Sequence, residues 1–195
     1  MADSIFFKYK SDIEPADGSI LVSEPHLPDI NFDRTVVLLC RHNNEEGSFG
    51  FVLNKQSNVL LEDVLKDARG IKIPVFIGGP VEQNTLHFIH NDDTLTDSQF
   101  VAKDLYWGGD FDLLLSWLRE GLLHEDNVKI FLGYSGWSPG QLQDEIEQNS
   151  WMVFNPEDHE FVFKIASQEM WQRVLQERGG RYKMYAKYPV DPRLN

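Results

Sequence analysis

Short runs of aliphatic, β-branched and aromatic residues, each bounded by glycine, proline, asparagine or aspartate, constrain the fold of this chain more than any other feature. Runs of this length and composition are typical of β-strands. The predicted strands are residues 19–22, 35–40, 49–53, 75–77, 86–90, 128–132, 151–154 and 161–163. The run from Val36 to Cys40 is apolar on both faces, which predicts a strand at the centre of a sheet.

Four segments with an apolar stripe at helical spacing predict helices between these strands. They begin at Ser57, Asp110, Ser138 and Ser167, residue types that favour the N-terminal cap position. The strands occur in clusters between helices and do not alternate with them one for one. This order predicts an α+β (irregular α/β) fold, with a mixed, strongly curved sheet of about eight strands flanked by about four helices.

Length and charge exclude several classes of protein. The 195 residues suit a single domain over residues 1–195, and 42% of them are hydrophobic, which is enough for a sizeable core. With 18 basic and 31 acidic side chains, the formal net charge is -13, which repels nucleic acid and anionic lipid. Direct binding to nucleic acid or membrane is therefore not expected. The single cysteine, Cys40, cannot form an internal disulfide and no apolar run is long enough to cross a membrane, so we expect a cytoplasmic protein.

Residues 133–142 combine the end of an apolar run, a glycine-rich segment and a helix start. Residues 133–137 resemble the nucleophile elbow Gly-x-Ser-x-Gly, but Trp137 occupies the position of the last glycine. A bulky indole would crowd the strand–helix contact that this glycine permits, so we predict a tight turn with Trp137 in the core and no catalytic residue. Ser138 and Gln141 have the spacing of a capping box, which assigns the Ser138 hydroxyl to a structural role.

No motif in the chain predicts a cofactor or a metal. Gly78-Gly79-Pro80 follows a predicted strand, but no helix start comes after it, so a turn is favoured over a phosphate-binding loop. His87 and His90 are close in sequence, yet their spacing on a strand directs them to opposite faces. A zinc site would need three or four convergent ligands.

Residues 179–195 form a basic and aromatic C-terminal tail, in which tyrosines alternate with lysines and arginines. Pro189 and Pro192 predict an extended course for this tail. A tail of this composition could bind single-stranded nucleic acid or a protein partner. Docking on the acidic body of the same chain is favoured over either.

Several blocks of residues together resemble one known family, and the resemblance spans most of the chain. The blocks are residues 18–22 with Pro25, 32–36, His42 with Gly47, Gly50 and 53–55, 78–81, and 133–145 with Asn149 and Trp151. They make the chain similar to the YqgE/AlgH family of bacterial proteins, whose members lack an established biochemical activity. The resemblance implies a compact α/β body on a mixed, strongly curved sheet, a suggested role in transcriptional regulation, and no known catalytic residues.

The family blocks supply the residues from which we predict a binding cleft. These are Pro25, Arg34, Asn54, Gly78, Gly79, Pro80, Ser135, Gly136 and Trp137. Glycines allow close backbone approach, arginine and asparagine donate hydrogen bonds, and an indole offers a stacking surface, which suits a small polar ligand or a protein partner. The leading hypothesis is a non-enzymatic binding or regulatory protein. Two alternatives are a hydrolase that uses Ser135 with His42 or His90, and a regulator that binds DNA directly.

Overall fold

The computed structural model describes residues 13–189, which form a mixed sheet of ten strands together with six helices. The strands are β1 (Ile20–Ser23), β2 (Val36–Asn43), β3 (Gly47–Val52), β4 (Gln56–Leu60), β5 (Pro74–Ile77), β6 (Val81–His90), β7 (Gln99–Ala102), β8 (Leu105–Trp107), β9 (Val128–Trp137) and β10 (Trp151–Phe154). The helices are α1 (Leu61–Val64), α2 (Phe111–Glu120), α3 (Gln141–Glu147), α4 (Phe161–Lys164), α5 (Ser167–Arg178) and α6 (Tyr182–Tyr185). The predicted α+β fold with a mixed sheet is confirmed.

Strand β9 occupies the centre of the sheet. The strand order is β10-β1-β2-β3-β9-β6-β8-β7, and β4 joins through β5, which also pairs with β9. The β5–β9 pair is parallel, whereas the other pairs are antiparallel. Along one edge, β9 pairs first with β5 at residues 130–132 and then with β3 at residues 135–137. Gly133 lies between these two segments with a φ of +66°, a left-handed conformation that favours glycine.

Alternate residues of β2 pack into different clusters, as the two-faced apolar pattern predicted. Val36 and Leu38 belong to the cluster that Met170 of helix α5 covers, whereas Val37 packs with Leu142 of helix α3. A third cluster packs helix α2 against β5, β6 and β9. Cys40 is a buried free thiol, and burial raises its pKa well above the ordinary value.

The strand predictions failed where composition is a poor guide to sheet position. Strands β4, β7 and β8 were not predicted, because β4 is mostly polar and the other two form a short hairpin with Asp104, at a φ of +54°, in its turn. Residues 161–163 form helix α4 and not the predicted strand. An apolar run this short is compatible with a strand or a helix, and as a helix it buries Val162 and Phe163 in the core.

Two of the predicted helix starts lie elsewhere in the structure. Ser57 belongs to β4, and its hydroxyl donates a hydrogen bond of 2.6 Å to the carbonyl oxygen of Val75 in β5. Helix α3 begins at Gln141, whose side-chain oxygen accepts from the Ser138 backbone N–H at 3.0 Å, so only this half of the capping box is formed. Asp110 caps helix α2 as predicted.

The C-terminal tail does not take the extended course that was predicted over the part of it that the structure describes. Residues 182–185 form helix α6, in which Tyr182 is buried with its ring 5.2 Å from that of Phe154. Pro192 lies outside the described residues. Among the helices of residues 13–189, none combines the length and hydrophobicity needed to cross a lipid bilayer.

Candidate functional site

Residues 133–137 continue strand β9, so the prediction of a tight turn at this point is wrong. Side chains alternate between the two faces of a strand, and this alternation divides the family block. Ser135 and Trp137 are buried, whereas Tyr134 is half-buried and Gly136 is exposed. The prediction that Trp137 packs in the core is confirmed, since its side chain is 5% exposed.

The buried Trp137 shares one carboxylate with a second tryptophan. Its indole N–H donates to Glu145 Oε2 at 2.9 Å, and the indole N–H of Trp151 donates to the same oxygen at 2.7 Å. The amide of Gln141 donates to the other carboxylate oxygen at 2.9 Å. These bonds connect the end of β9, helix α3 and β10, so this part of the family block has a structural role.

Ser135 lacks the geometry of a nucleophile. Its buried hydroxyl donates to the carbonyl oxygen of Gly78 at 3.0 Å. His42 Nδ1 lies 2.7 Å from the hydroxyl of Ser48, and His90 Nε2 lies 3.0 Å from the carbonyl oxygen of Gly108. Among residues 13–189, no histidine hydrogen-bonds to Ser135, so the hydrolase hypothesis lacks its base.

Gly78 and Gly79 are required by close backbone packing. A Cβ on Gly78 would lie 2.3 Å from the carbonyl oxygen of Gly133, and one on Gly79 would lie 2.3 Å from the carbonyl of Tyr134. The neighbouring Pro80 is exposed. Because both glycines lack a side chain, the backbone of strand β9 packs directly against them. No space is left there for a ligand.

Arg34 and Asn54 bind the chain itself at a separate place. The Asn54 amide donates to the carbonyl oxygen of Arg34 at 2.9 Å and accepts from the Val36 N–H at 2.9 Å. Arg34 has a φ of +47°, an uncommon conformation for a residue other than glycine. The asparagine thus holds the chain entering β2 in this turn. Pro25 is buried.

The guanidinium of Arg34 anchors the C-terminal tail. Its Nη2 donates to the carbonyl oxygens of Tyr188 and Pro189 at 2.7 and 2.6 Å. The group also lies 4.7 Å from the centroid of the Trp171 ring. With these partners, Arg34 is committed to contacts within the chain.

A groove of about 730 Å³ opens on the face of the sheet to which Tyr134 and Gly136 belong. Strands β3, β6, β8 and β9 contribute most of its lining. Of the nine residues predicted to form a cleft, Gly136 and Trp137 line this groove, and the other seven do not. The structure therefore does not bring the predicted residues together in one cleft.

Aromatic rings form the wall of the groove. The ring of Phe49 lies 4.7 Å from that of Trp107 and 6.3 Å from that of Tyr134. His87 lies 5.7 Å from Tyr134 and 5.5 Å from Phe51. These residues were not predicted as a site from the sequence. The one signal for them was the alternation of aromatic residues in β3, which a core strand would also show.

The polar groups of the groove are few. His87 Nε2 lies 2.8 Å from the hydroxyl of Thr85, and desolvation lowers the pKa of His87, partly offset by the charge of Glu82. The ring is therefore less readily protonated than that of an ordinary histidine. Arg41 and Glu46, 3.6 Å apart and both largely exposed, lie at the rim. Within residues 13–189, no group of three or more histidine, cysteine or acidic residues could hold a metal ion.

A second cavity adjoins this groove. It has a volume of about 340 Å³ and shares His87 and Trp107 with the groove. Gly108 and Gly109 also line this cavity, next to the start of helix α2. The two spaces together offer apolar rings for stacking and a small number of groups for hydrogen bonding. One of these groups is the hydroxyl of Ser48, which lines the groove and lies 2.7 Å from His42 Nδ1.

Sequence relatives match the chain over nearly its whole length. A UPF0301 protein from Cytophaga hutchinsonii is 47% identical over 182 residues, which cover 91% of this chain and 98% of the relative. Another from Parabacteroides distasonis is 40% identical over 195 residues, which cover 98% of each chain.

Solved structures share the fold. A crystal structure of a protein from Corynebacterium diphtheriae matches with a TM-score of 0.75 at 24% identity, covering 96% of this chain and 99% of that one. The solution structure of the AlgH protein from Pseudomonas aeruginosa matches with a TM-score of 0.70 at 25% identity, covering 91% of this chain and 98% of that one. The AlgH-like family model matches residues 20–183. On this evidence from sequence and fold, the chain belongs to the AlgH-like family.

Proposed function

We propose that this protein is a non-enzymatic binding protein whose groove takes a small polar ligand that carries a flat ring. The observation that supports this proposal is the convergence of Phe49, Phe51, His87, Trp107 and Tyr134 on one groove of about 730 Å³. Ligand sites of roughly 300 to 1,000 Å³ that are mainly apolar and aromatic are typical of proteins that bind small molecules.

The ligand class follows from the chemistry of the lining. Aromatic side chains bind flat rings by offset or edge-to-face contact, with ring centroids about 4.5 to 7 Å apart. The distance of 4.7 Å between Phe49 and Trp107 lies in this range, so these two rings already support each other. Arg41 and Glu46 at the rim pair with each other only weakly, since both are largely exposed. Each is available to a polar substituent of the ligand.

A regulatory role would follow from this binding through a protein partner in the cytoplasm. The net charge of -13 opposes contact with nucleic acid, so a partner protein is the better route from a bound ligand to a target. A gel-shift titration at low salt separates the two routes. We expect no retained DNA complex for the purified protein alone, and sequence-specific retention would overturn this ranking.

The binding proposal is tested by NMR titration with three flat probes: adenine, nicotinamide and indole-3-acetate. We expect at least one probe to shift backbone amides of β3, β6, β8 and β9. Phe49→Ala should weaken its binding at least tenfold, because it removes the ring that contacts Trp107 and Tyr134.

Phe100→Ala is the matched control, since this ring is 67% exposed and does not line the groove. It should leave the affinity unchanged. The proposal fails if no probe binds, if the shifted amides lie outside the groove, or if the two alanine variants behave alike.

A further inference from the structure

Lys129 breaks the apolar pattern of the strand that it belongs to. It stands in the run from Val128 to Leu132, which is otherwise aliphatic and aromatic, and it is 5% exposed. Its Nζ lies 4.0 Å from the centroid of the Phe76 ring. Over residues 13–189, the amine makes no hydrogen bond and no ion pair. A buried lysine without such a partner is unusual, because burial penalises its charged form.

Lys129 lines a cavity of about 240 Å³. One wall is apolar, formed by Phe76 together with Phe163 and Ile165 from the chain around helix α4. Glu125 and Asp126, just before β9, line the same cavity. The cavity is separate from the groove proposed to bind a ligand, and the two share no lining residue.

We propose that Lys129 is a covalent site, at which its amine condenses with a small aldehyde or ketone admitted to this cavity. The nitrogen lone pair attacks the carbonyl carbon and forms a C–N bond, which gives a carbinolamine. The proton released when the ammonium becomes the free amine is returned to the carbinolamine hydroxyl, which leaves as one water molecule while the nitrogen lone pair forms the C=N bond of a protonated imine. The protonated imine keeps the positive charge of the ammonium, so the face of Phe76 stabilises the product as it does the free lysine.

The surroundings favour the neutral amine that the first step requires. Desolvation lowers the pKa of Lys129 to about 8, against a smaller opposing effect of Glu125. At pH 7 roughly a tenth of the amine is then neutral, far more than for an ordinary lysine with a pKa of about 10.4. The charged side chains lining the cavity are Glu125, Asp126 and Lys164, and the two carboxylates can carry the proton that leaves with water.

The test uses the full-length protein with propanal as the probe and cyanoborohydride to reduce the imine to a stable amine. Adducts are assigned by peptide mapping, which separates Lys129 from the α-amino group. We expect Lys129 to be labelled at least tenfold faster than Lys164, whose ammonium binds Glu160 at 2.5 Å. The labelling rate at Lys129 should rise with pH and level off above about 8.

Lys129→Met and Lys129→Arg should both abolish this adduct. Lys103→Met is the matched control that should retain it, since Lys103 is exposed and does not line the cavity. The arginine variant keeps the positive charge but lacks the amine, so it distinguishes the loss of the nucleophile from the loss of the charge. Labelling of wild-type Lys129 no faster than that of Lys164, or a rate without a plateau above pH 8, would overturn the proposal even if a variant does not fold.

Discussion

The two faces of strand β9 near its C-terminal end are both aromatic, yet one is closed and the other is open. On the closed face, Trp137 is 5% exposed and its indole N–H binds Glu145. On the open face, Tyr134 lies beside Phe49 and Trp107 in the groove. Both faces come from the same ten-residue strand. Aromatic composition therefore does not distinguish core from binding surface. The two are distinguished by whether another element covers the rings and by the hydrogen-bond partners of their polar atoms.

The largest effect is expected from two glycines at β9: Gly79, which packs against the backbone of the strand, and Gly136, which belongs to its open face. Gly79→Ala would place a Cβ 2.3 Å from the Tyr134 carbonyl, and backbone atoms cannot yield, so we expect a loss of about 3 kcal/mol in the free energy of unfolding. Gly136→Ala meets a side-chain atom of Tyr134 at 3.3 Å, and should cost less than about 1 kcal/mol. Urea denaturation measures both values, and equal losses would contradict the comparison.

The next effect concerns the carboxylate of the closed face. Glu145→Ala leaves the indole N–H groups of Trp137 and Trp151 without their acceptor, and we expect it to lower the free energy of unfolding by about 2 kcal/mol. Glu145→Gln keeps an acceptor oxygen and should lose less. Urea denaturation of both variants provides the measurement. Equal losses for the two variants would contradict this role of the carboxylate, and a probe that binds the groove reports whether Trp137, which also lines it, stays in place.

The smallest effect extends the comparison to histidines on the neighbouring strand β6. Desolvation lowers the pKa of fully buried His90 and of half-buried His87, so the folded protein binds fewer protons than the unfolded chain below about pH 6.5. The free energy of unfolding should therefore fall as the pH drops from 7 to 5.

Denaturation at several pH values checks this slope. The lowered pKa of Asp92 makes its contribution disappear only below its ordinary value of 3.8, outside this window. His90→Asn should flatten the slope more than His87→Asn, and His42, whose pKa is also lowered, should account for part of the remainder. An unchanged slope in His90→Asn would contradict the expectation.

Most of the sheet could be predicted from the sequence, because apolar strands bounded by turn residues carry a strong local signal. The two-faced run of β2 correctly indicated a strand within the sheet. Strand β4 could not be predicted in the same way, because it is mostly polar and is held by partners distant in sequence, such as the Ser57 hydroxyl bond to β5. The end of β9 was mistaken for a turn because its glycines serve close packing and a change of strand partner.

Much less of the candidate site could be predicted. Family blocks drew attention to Gly136 and Trp137, which line the groove, and equally to Arg34 and Asn54, which hold the chain itself. The rings of the groove come from four strands, and their convergence depends on pairing between segments far apart in sequence. A family block marks residues that the fold requires as readily as residues that a ligand requires.

The central place of β9 also determines when the molecule can be completed during synthesis. Strands β3, β5 and β6 are all made before β9, and each of them pairs with it. In a nascent chain that ends before Val128, the edges of these strands that pair with β9 are therefore unpaired. The ring of Phe49 in β3 also lacks its contact with Tyr134. Pairings between segments so distant in sequence form slowly. The groove can therefore form only once the last residues of β9 are free of the ribosome, and the sheet is completed later still, when β10 pairs with β1.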